Sequence, residues 1–326
     1  MNIALIPARL ESFRLPHKPL INIQQIPLVI HVAMRVSMSK LVDKIIVCTD
    51  SKKIYNVVKC YGFEVLMTKK KHKNGTERVA EIAKNLKAEL VIDIQCDACF
   101  LDPEEISRLI KFHKKNKKFD IVIPHSEYRV KNDISAVKII SNLDNEIIYL
   151  SRKDVPLSFK KKINYFKRHQ DFISFKPRSL QKFVKLKSSP LEQIEGIELL
   201  RAIENNFKLG TYKILDDSEV CSINTKLDLK KGKLRMKNDK FFKRYSKIVW
   251  KKIIMKKYLD YISFKRDVLL NFVKLKQSVL ELLRATKNNF KVDTFKNKND
   301  LFSFNTKKEL NKVIQIIEFS RWSLKI

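Results

Sequence analysis

Three cations stand close together behind the first apolar run: Arg9, Arg14 and Lys18, in Ile6-Pro-Ala-Arg-Leu-Glu-Ser-Phe-Arg-Leu-Pro-His-Lys-Pro-Leu20. On one loop beyond a strand end they suit a polyphosphate, because they can neutralise charge developing on transferred phosphoryl oxygens. Taken alone, they read equally well as solvated surface cations. The loop carries neither G-x-G-x-x-G nor G-x-x-x-x-G-K-[ST], so a dinucleotide fingerprint and a Walker loop are excluded. Cys96 and Cys99 form a C-x-x-C within Gln95-Cys-Asp-Ala-Cys99. A zinc site needs about four ligands, and no second pair or His-x-His cluster accompanies them. Two thiols at a strand end read more simply as small residues. Glu192 and Glu195 are three apart; on a helix they share one face and can offer oxygens to a ligand, or simply meet water. His169 alone is a ligand, a cap or a packing residue.

The elements that must position these groups follow from the hydrophobic pattern. Asn2 to Ile6 is strand-like, Pro27 to Ser37 has helical spacing, and Lys44 to Thr49 reads as a second strand. Lys52 to Tyr61 is helical and closes at Gly62, and Phe63 to Met67 is strand-like. Glu77 to Leu86 is helical, Leu90 to Ile94 is a strand, and Pro103 to His113 is a helix with Pro at its start and acids in its first turn. Asp120 to Pro124 closes another strand. This β-α-β rhythm predicts an α/β fold with a doubly wound, mostly parallel sheet. Ligands bind beyond the carboxyl ends of strands in such sheets, which points to the loops after Ile6 and after Ile94.

The first loop resembles the P-A-R-x-x-S-x-R-L-P-G-K-P-L signature of the sugar-acid cytidylyltransferases. His72-Lys-Asn-Gly-Thr-Glu-Arg-Val-Ala-Glu81 is similar to the H-x-S-G-T-E-R-x-A-E segment of one member family, the 3-deoxy-manno-octulosonate (Kdo) cytidylyltransferases. Gln95-Cys-Asp97 stands where that family has Q-G-D. Ala136-Val-Lys138, Ser151-Arg152, Arg168-His169 and Ser189-Pro-Leu-Glu192-Gln-Ile-Glu195 follow in the family's order, so the likeness covers about residues 1–232. The resemblance implies a nucleotidyltransferase-like fold and transfer of CMP from CTP to Kdo, releasing pyrophosphate, for lipopolysaccharide synthesis. It implies Arg9, Arg14, Lys18 and Gln95 at the nucleotide, with Arg9, Lys18 and Asp97 as the catalytic set. It further implies Arg152, His169, Glu192 and Glu195 at the sugar, and Mg²⁺ on Asp97 and at the position of Asn224.

Several positions depart from the family pattern. The glycine of P-G-K-P is His17, and H-L-G-I-Y-G-Y has become His169-Gln-Asp-Phe-Ile-Ser-Phe175. The late V-D-T motif, whose aspartate is a metal ligand in the family, is Ile223-Asn224-Thr225. An amide oxygen coordinates Mg²⁺ without charge, so affinity falls. Two alternatives remain open: a different sugar acid (an 8-amino relative of Kdo, or a sialic acid) and a degenerate, non-catalytic paralogue.

The back half carries an internal repeat. Ile173-Ser-Phe-Lys176 recurs as Ile262-Ser-Phe-Lys265, Phe183-Val-Lys-Leu-Lys187 as Phe272-Val-Lys-Leu-Lys276, and Leu199-Leu-Arg-Ala202 as Leu282-Leu-Arg-Ala285. The second copy lacks the stretch Glu192–Ile197, and Tyr258 stands where the first has His169. It is therefore expected to be structural. The expected organisation is a catalytic domain over 1–235, a basic connector over 236–258, and a degenerate repeat of about residues 170–232 over 259–326. In the resembling family the copied segment lies partly in the dimer-forming region, which makes a homodimer an expectation of the resemblance.

Of the 326 residues, 68 are Lys or Arg and 35 are Asp or Glu, a formal net charge of +33. That excess first suggests nucleic acid. It is spread along the chain as Lys, beside abundant Ile, Asn and Phe and only 5 Gly, as an AT-rich coding bias also produces. No specific nucleic-acid role is therefore expected. Hydrophobic residues make up 44 %, which excludes wholesale disorder. The 5 Cys argue against a disulfide framework. No apolar run reaches the roughly 18 to 20 residues of a membrane span, and the opening MNIALIPAR does not fit a secretory signal. A cytoplasmic protein is expected.

Overall fold

The opening apolar run becomes a central strand, β1 (Asn2–Ala8), all of whose residues are buried. A strand covered on both faces can be apolar without alternation. Ala4, Ile6 and Ala8 face one hydrophobic layer, and Ile3 and Leu5 face the other. The computed structural model describes residues 1–12, 14–215 and 222–249. After β1 come a 3-10 turn (Lys18–Leu20), β2 (Asn22–Ile23), β3 (Ile26–Pro27), α1 (Leu28–Val36), β4 (Lys44–Thr49) and α2 (Lys52–Cys60). Then follow β5 (Glu64–Met67), α3 (Gly75–Ala83), β6 (Leu90–Ile94), α4 (Pro103–Lys115), β7 (Ile121–Tyr128), β8 (Lys138–Ser141) and β9 (Ile147–Ser151). The series ends with β10 (Phe166–His169), β11 (Phe172–Phe175), α5 (Pro177–Phe183), α6 (Pro190–Glu195), α7 (Leu200–Glu204), β12 (Leu209–Lys213) and α8 (Lys226–Asn238). Residues 240–249 are also helical.

The main sheet runs β5-β4-β1-β6-β11-β7-β10-β8-β9, with β12 also pairing β7. The β5-β4-β1-β6 block is parallel, as the β-α-β rhythm predicts. Beyond it, β11 lies antiparallel between β6 and β7, so those two strands still point the same way. Strand β12 is parallel to β7, while β10, β8 and β9 alternate. Helices α1, α2 and α4 pack on one face, and α3, α5 and α7 on the other. The sheet is thus doubly wound and mostly parallel, as expected, with reversed strands in its second half.

Two segments differ from the sequence expectation. Helix α3 starts at Gly75 because Asn74 caps it, its side chain accepting from the Glu77 N–H at 2.8 Å. The connector expected from residue 236 begins inside the core: Met236, Phe241, Phe242, Tyr245 and Val249 are buried with the α1 and α4 layer. Their aromatic side chains recur on one helical face, hidden in composition by the surrounding Lys and Arg. Arg35 of α1 fastens this segment through an ion pair to Asp239 at 2.5 Å, its guanidinium lying near the rings of Phe100 and Phe241. The proposed second repeat copy lies outside the described residues.

Candidate active site

Strands β1 and β6 are parallel neighbours, so the loops at their carboxyl ends open on the same side. The β1 loop delivers Lys18 on the 3-10 turn. The turn is entered through His17, which sits in the left-handed region at φ 55°. This is the position where the resembling family has glycine, and the backbone keeps the glycine-like conformation although the residue is a bulky histidine. The side chain meets no crowding there, because it is exposed.

The β6 loop delivers Asp97, and a third segment, entering α8, delivers Asn224. The Lys18 ammonium donates to Asp97 Oδ2 at 2.6 Å and to Asn224 Oδ1 at 3.2 Å. Arg14 donates to the same Asn224 oxygen at 3.2 Å. The third segment is tied in by the Ile223 N–H, which donates to the Asp97 carbonyl at 3.4 Å. Asp228 holds it from the other side, accepting from the Asn224 and Thr225 N–H groups at 3.1 and 2.8 Å. Arg14, Lys18, Asp97 and Asn224 therefore form one constellation built from three distant stretches. Arg9 is exposed at the end of β1, near enough to Cys96 to act on its thiol. Burial, reinforced by Asp97, pushes that thiol up to about 12, so Cys96 is no thiolate at neutral pH.

Asp97 is 8 % exposed. Burial holds its carboxyl above the ordinary range; Lys18 opposes this, and Asp171 reinforces it. Asp171, in the turn between β10 and β11, is a site residue that sequence reasoning missed. Its carbonyl accepts from the Gln95 N–H at 3.0 Å, and its carboxylate accepts from Ser222. The available signal was a carboxylate standing where the resembling family has a glycine.

Gln95 sits beside this constellation, with its Nε2 donating to Asp93 Oδ1 at 3.2 Å. Gly75, the first residue of α3, is packed here: a β-carbon on it would lie 3.2 Å from the Pro7 ring and 3.6 Å from Gln95 Nε2. The glycine of the G-T-E-R stretch is thus packed closely against the β1 and β6 ends.

The residues expected at the sugar gather around α6 and the end of β9. Glu195 accepts from the Ser151 hydroxyl at 2.8 Å and from the Arg152 N–H at 2.9 Å. Arg152 reaches back to the carbonyls of Glu195 at 2.8 Å, Gly196 at 3.2 Å and Ile134 at 3.0 Å, so its cation faces the carboxyl end of α6. Glu192 closes the capping box of α6 with Ser189, and its carboxylate lies 3.7 Å from Arg201 Nε. The two carboxylates therefore serve different partners. His169 closes β10 opposite His125 and is half-buried. Burial, then the neighbouring Arg168, lowers its pKa to about 4, which keeps the ring neutral at pH 7. No direct contact links His169, Arg152, Glu192 or Glu195 to Lys18 or Asp97 among the described residues. Lys138 was not singled out as a site residue, yet it is 0 % exposed and organises this side. It donates to the Arg152 carbonyl at 2.9 Å and to the Asp133 carbonyl, and lies 3.4 Å from Asp154.

The chemistry of the donor set can be tested against a divalent cation. Asp97 Oδ2 and Asn224 Oδ1 already converge on one positive charge, the Lys18 ammonium. Both are hard oxygens, and magnesium takes one or two carboxylates and completes its shell with phosphate and water. The residues present fit that demand. Among the described residues no group of three or more His, Cys, Asp or Glu is arranged to hold a metal ion by itself. No helix among them is long and apolar enough to cross a membrane.

Comparison with known proteins gives the family and the fold. The cytidylyltransferase family matches residues 3–214. A 3-deoxy-manno-octulosonate cytidylyltransferase of a Nitratiruptor species is 35 % identical over 237 residues, covering 70 % of this chain and 96 % of that protein. Its counterpart from Fusobacterium nucleatum is 35 % identical over 212 residues, covering 64 % of this chain and 86 % of that protein. A solved CMP:2-keto-3-deoxy-manno-octonic acid synthetase in complex with CTP shares the fold, with a TM-score of 0.69 and 24 % identity over 73 % of this chain and 98 % of the other. On the matched family, the identity to these relatives and the shared fold, the chain belongs to the cytidylyltransferase family, among the 3-deoxy-manno-octulosonate cytidylyltransferases.

Proposed function

We propose that the protein transfers CMP from CTP to Kdo, giving CMP-Kdo and pyrophosphate for lipopolysaccharide assembly. The observation that carries this reading is the convergence of Arg14, Lys18, Asp97 and Asn224, in a chain 35 % identical to a Kdo cytidylyltransferase over 237 residues. The anomeric hydroxyl oxygen forms a bond to the α-phosphorus while the bond to pyrophosphate breaks, and the hydroxyl proton is lost to solvent or base. No covalent enzyme intermediate is needed, so rate comes from positioning and charge stabilisation.

Arg9, Arg14 and Lys18 neutralise the triphosphate. On binding, Lys18 exchanges part of its contact with Asp97 for a phosphate oxygen, which frees the carboxylate. Asp97 and Asn224 would hold Mg²⁺, which when bound supplies charge for the phosphoryl oxygens and orients the leaving pyrophosphate. Gln95 faces the substrates beside α3. Arg152, Glu195 and Lys138 keep the wall near the end of β9 in place, and neutral His169 offers a ring nitrogen to a sugar hydroxyl. The left-handed conformation kept at His17 favours a working loop over a degenerate one. Pyrophosphate release from purified protein with CTP, Mg²⁺ and a panel of sugar acids tests the reading; turnover with Kdo supports it, and silence across the panel refutes it.

A further inference from the structure

The stretch that brings Asn224 to the site, residues 222–225, belongs to no helix or strand. Its place is therefore set by the contacts of its own side chains and amides. At one end the Ser222 hydroxyl donates to the Asp171 carboxylate. In the middle the Ile223 side chain is fully buried and sits in a notch that Gly232 leaves in α8: a β-carbon on Gly232 would lie 2.6 Å from Ile223 Cδ1. A glycine inside a helix is otherwise unfavourable, and this notch accounts for it. The Ile223 N–H donates to the Asp97 carbonyl at 3.4 Å, and Asp228 accepts from the two N–H groups that follow.

We propose that Asp171 is a positioning residue that acts through Asn224: by holding Ser222 it fixes the Asn224 amide oxygen where Arg14 and Lys18 both donate to it. The inference rests on the transferase reading above for the ligand that these two cations meet. Asp171 itself starts from a fixed point. Its carbonyl accepts from the Gln95 N–H at 3.0 Å, and the Gln170 N–H beside it donates to the Pro124 carbonyl at 3.1 Å. The Gln170 side chain is buried and donates to Ser126 Oγ at 2.8 Å. The turn between β10 and β11 is thus pinned to the end of β6 and to β7. The carboxylate reaches Ser222 from the sheet, not from a free loop.

What is positioned is one neutral oxygen that receives two cations, each at 3.2 Å. Arg14 is exposed, and ordering its long side chain against a like charge is costly. Asn224 orders both cations before a polyphosphate arrives, and each keeps N–H donors for the phosphate oxygens. Letting go of Ser222 frees the end of the segment nearest Asn224 and loosens that pair. This route has a ceiling, because the loss cannot exceed that of removing the Asn224 side chain itself.

The test uses the full-length protein with Asp171→Asn and Asp171→Ala, each made alone and together with Asn224→Ala. Both substitutions remove the negative charge, and only asparagine keeps an oxygen for Ser222, so their difference reads the hold itself. Amide exchange without any ligand is the first readout. The Ile223 and Asn224 N–H groups should exchange about tenfold faster or more in Asp171→Ala than in Asp171→Asn. CTP affinity by titration calorimetry, with no sugar acid present, is the second. Asp171→Ala should bind CTP about fivefold or more weakly than Asp171→Asn, and the two should agree within about twofold in the Asn224→Ala background. Ser222→Ala leaves the β10–β11 turn untouched; it should speed the same two amides and weaken CTP binding relative to wild type, which keeps the proposal open to refutation if Asp171→Ala does not fold. Equal exchange in the two Asp171 variants, equal CTP affinity, or a difference that survives Asn224→Ala would each overturn the proposal. If the wild type binds no CTP, the transferase reading fails, and the exchange comparison still decides whether Asp171 holds the segment.

Discussion

Replacing Asp97 by Asn separates folding from chemistry at this site. The Lys18–Asp97 contact of 2.6 Å corresponds to about 6 kcal/mol of attraction at an effective dielectric constant of about 20. Burying the carboxylate and the ammonium costs several kcal/mol for each ion, so attraction and desolvation nearly cancel. The carboxyl stands above its ordinary range because burial outweighs Lys18. The charged form is therefore not a net source of stability. A neutral amide of the same shape still accepts from Lys18, and Tm should move by no more than about 4 °C, equivalent to about 1 to 2 kcal/mol in a domain of this size. Turnover behaves differently. The carboxylate is the one full negative charge in the set that would hold Mg²⁺, and losing it should remove about 3 to 5 kcal/mol of transition-state stabilisation, on the order of 10²- to 10⁴-fold in rate. Pyrophosphate release at saturating CTP and Mg²⁺, run beside a thermal melt, reads both quantities. A variant that keeps its Tm and more than about a tenth of its turnover would refute the role given to Asp97.

Further outcomes follow from the same contacts. Asn224→Asp adds a carboxylate at the oxygen now bound by Arg14 and Lys18, so the Mg²⁺ concentration for half-maximal rate should fall; an unchanged titration would place residue 224 outside the metal shell. His17→Gly relieves a left-handed conformation and should raise stability by up to about 1 kcal/mol, with turnover unchanged or higher, by urea unfolding and the same assay. Lys138→Met leaves the carbonyls of Asp133 and Arg152 without their donor and should cost about 2 to 4 kcal/mol in urea unfolding, with a higher KM for the sugar acid. Deleting residues 236–326 removes Met236, Phe241, Phe242, Tyr245 and Val249 from the core and should abolish the cooperative melt, whereas deleting 251–326 should spare it if the repeat is an accessory.

The parallel half of the fold was legible because each strand and helix there is local and strongly patterned. Lys44–Thr49 and Leu90–Ile94 form strands with the expected bounds, and α2 closes near Gly62, which has a positive φ of 78°. The insertion of β11 between β6 and β7 was not legible, because pairing between distant segments leaves no local period. The burial of 236–249 was hidden by charge: Phe241, Phe242 and Tyr245 sit among Lys and Arg whose side chains reach solvent. At the site, Arg14, Lys18, Asp97 and Asn224 were readable as members of motifs, but their meeting at one ammonium is a property of the folded chain. Asp171 and Lys138 were not readable as site residues. A carboxylate in a turn and a lysine in a strand declare nothing until their neighbours are known.

The central claim is tested most directly by following pyrophosphate release with purified protein, CTP and Mg²⁺, in parallel with Kdo, 8-amino-Kdo and a sialic acid. The account predicts Mg²⁺-dependent turnover with Kdo, accompanied by formation of CMP-Kdo in equal amount, and less with the other acids. Turnover confined to another sugar acid would contradict the choice of substrate. A folded protein that binds CTP and releases no pyrophosphate with any of them would contradict the assignment of catalysis itself.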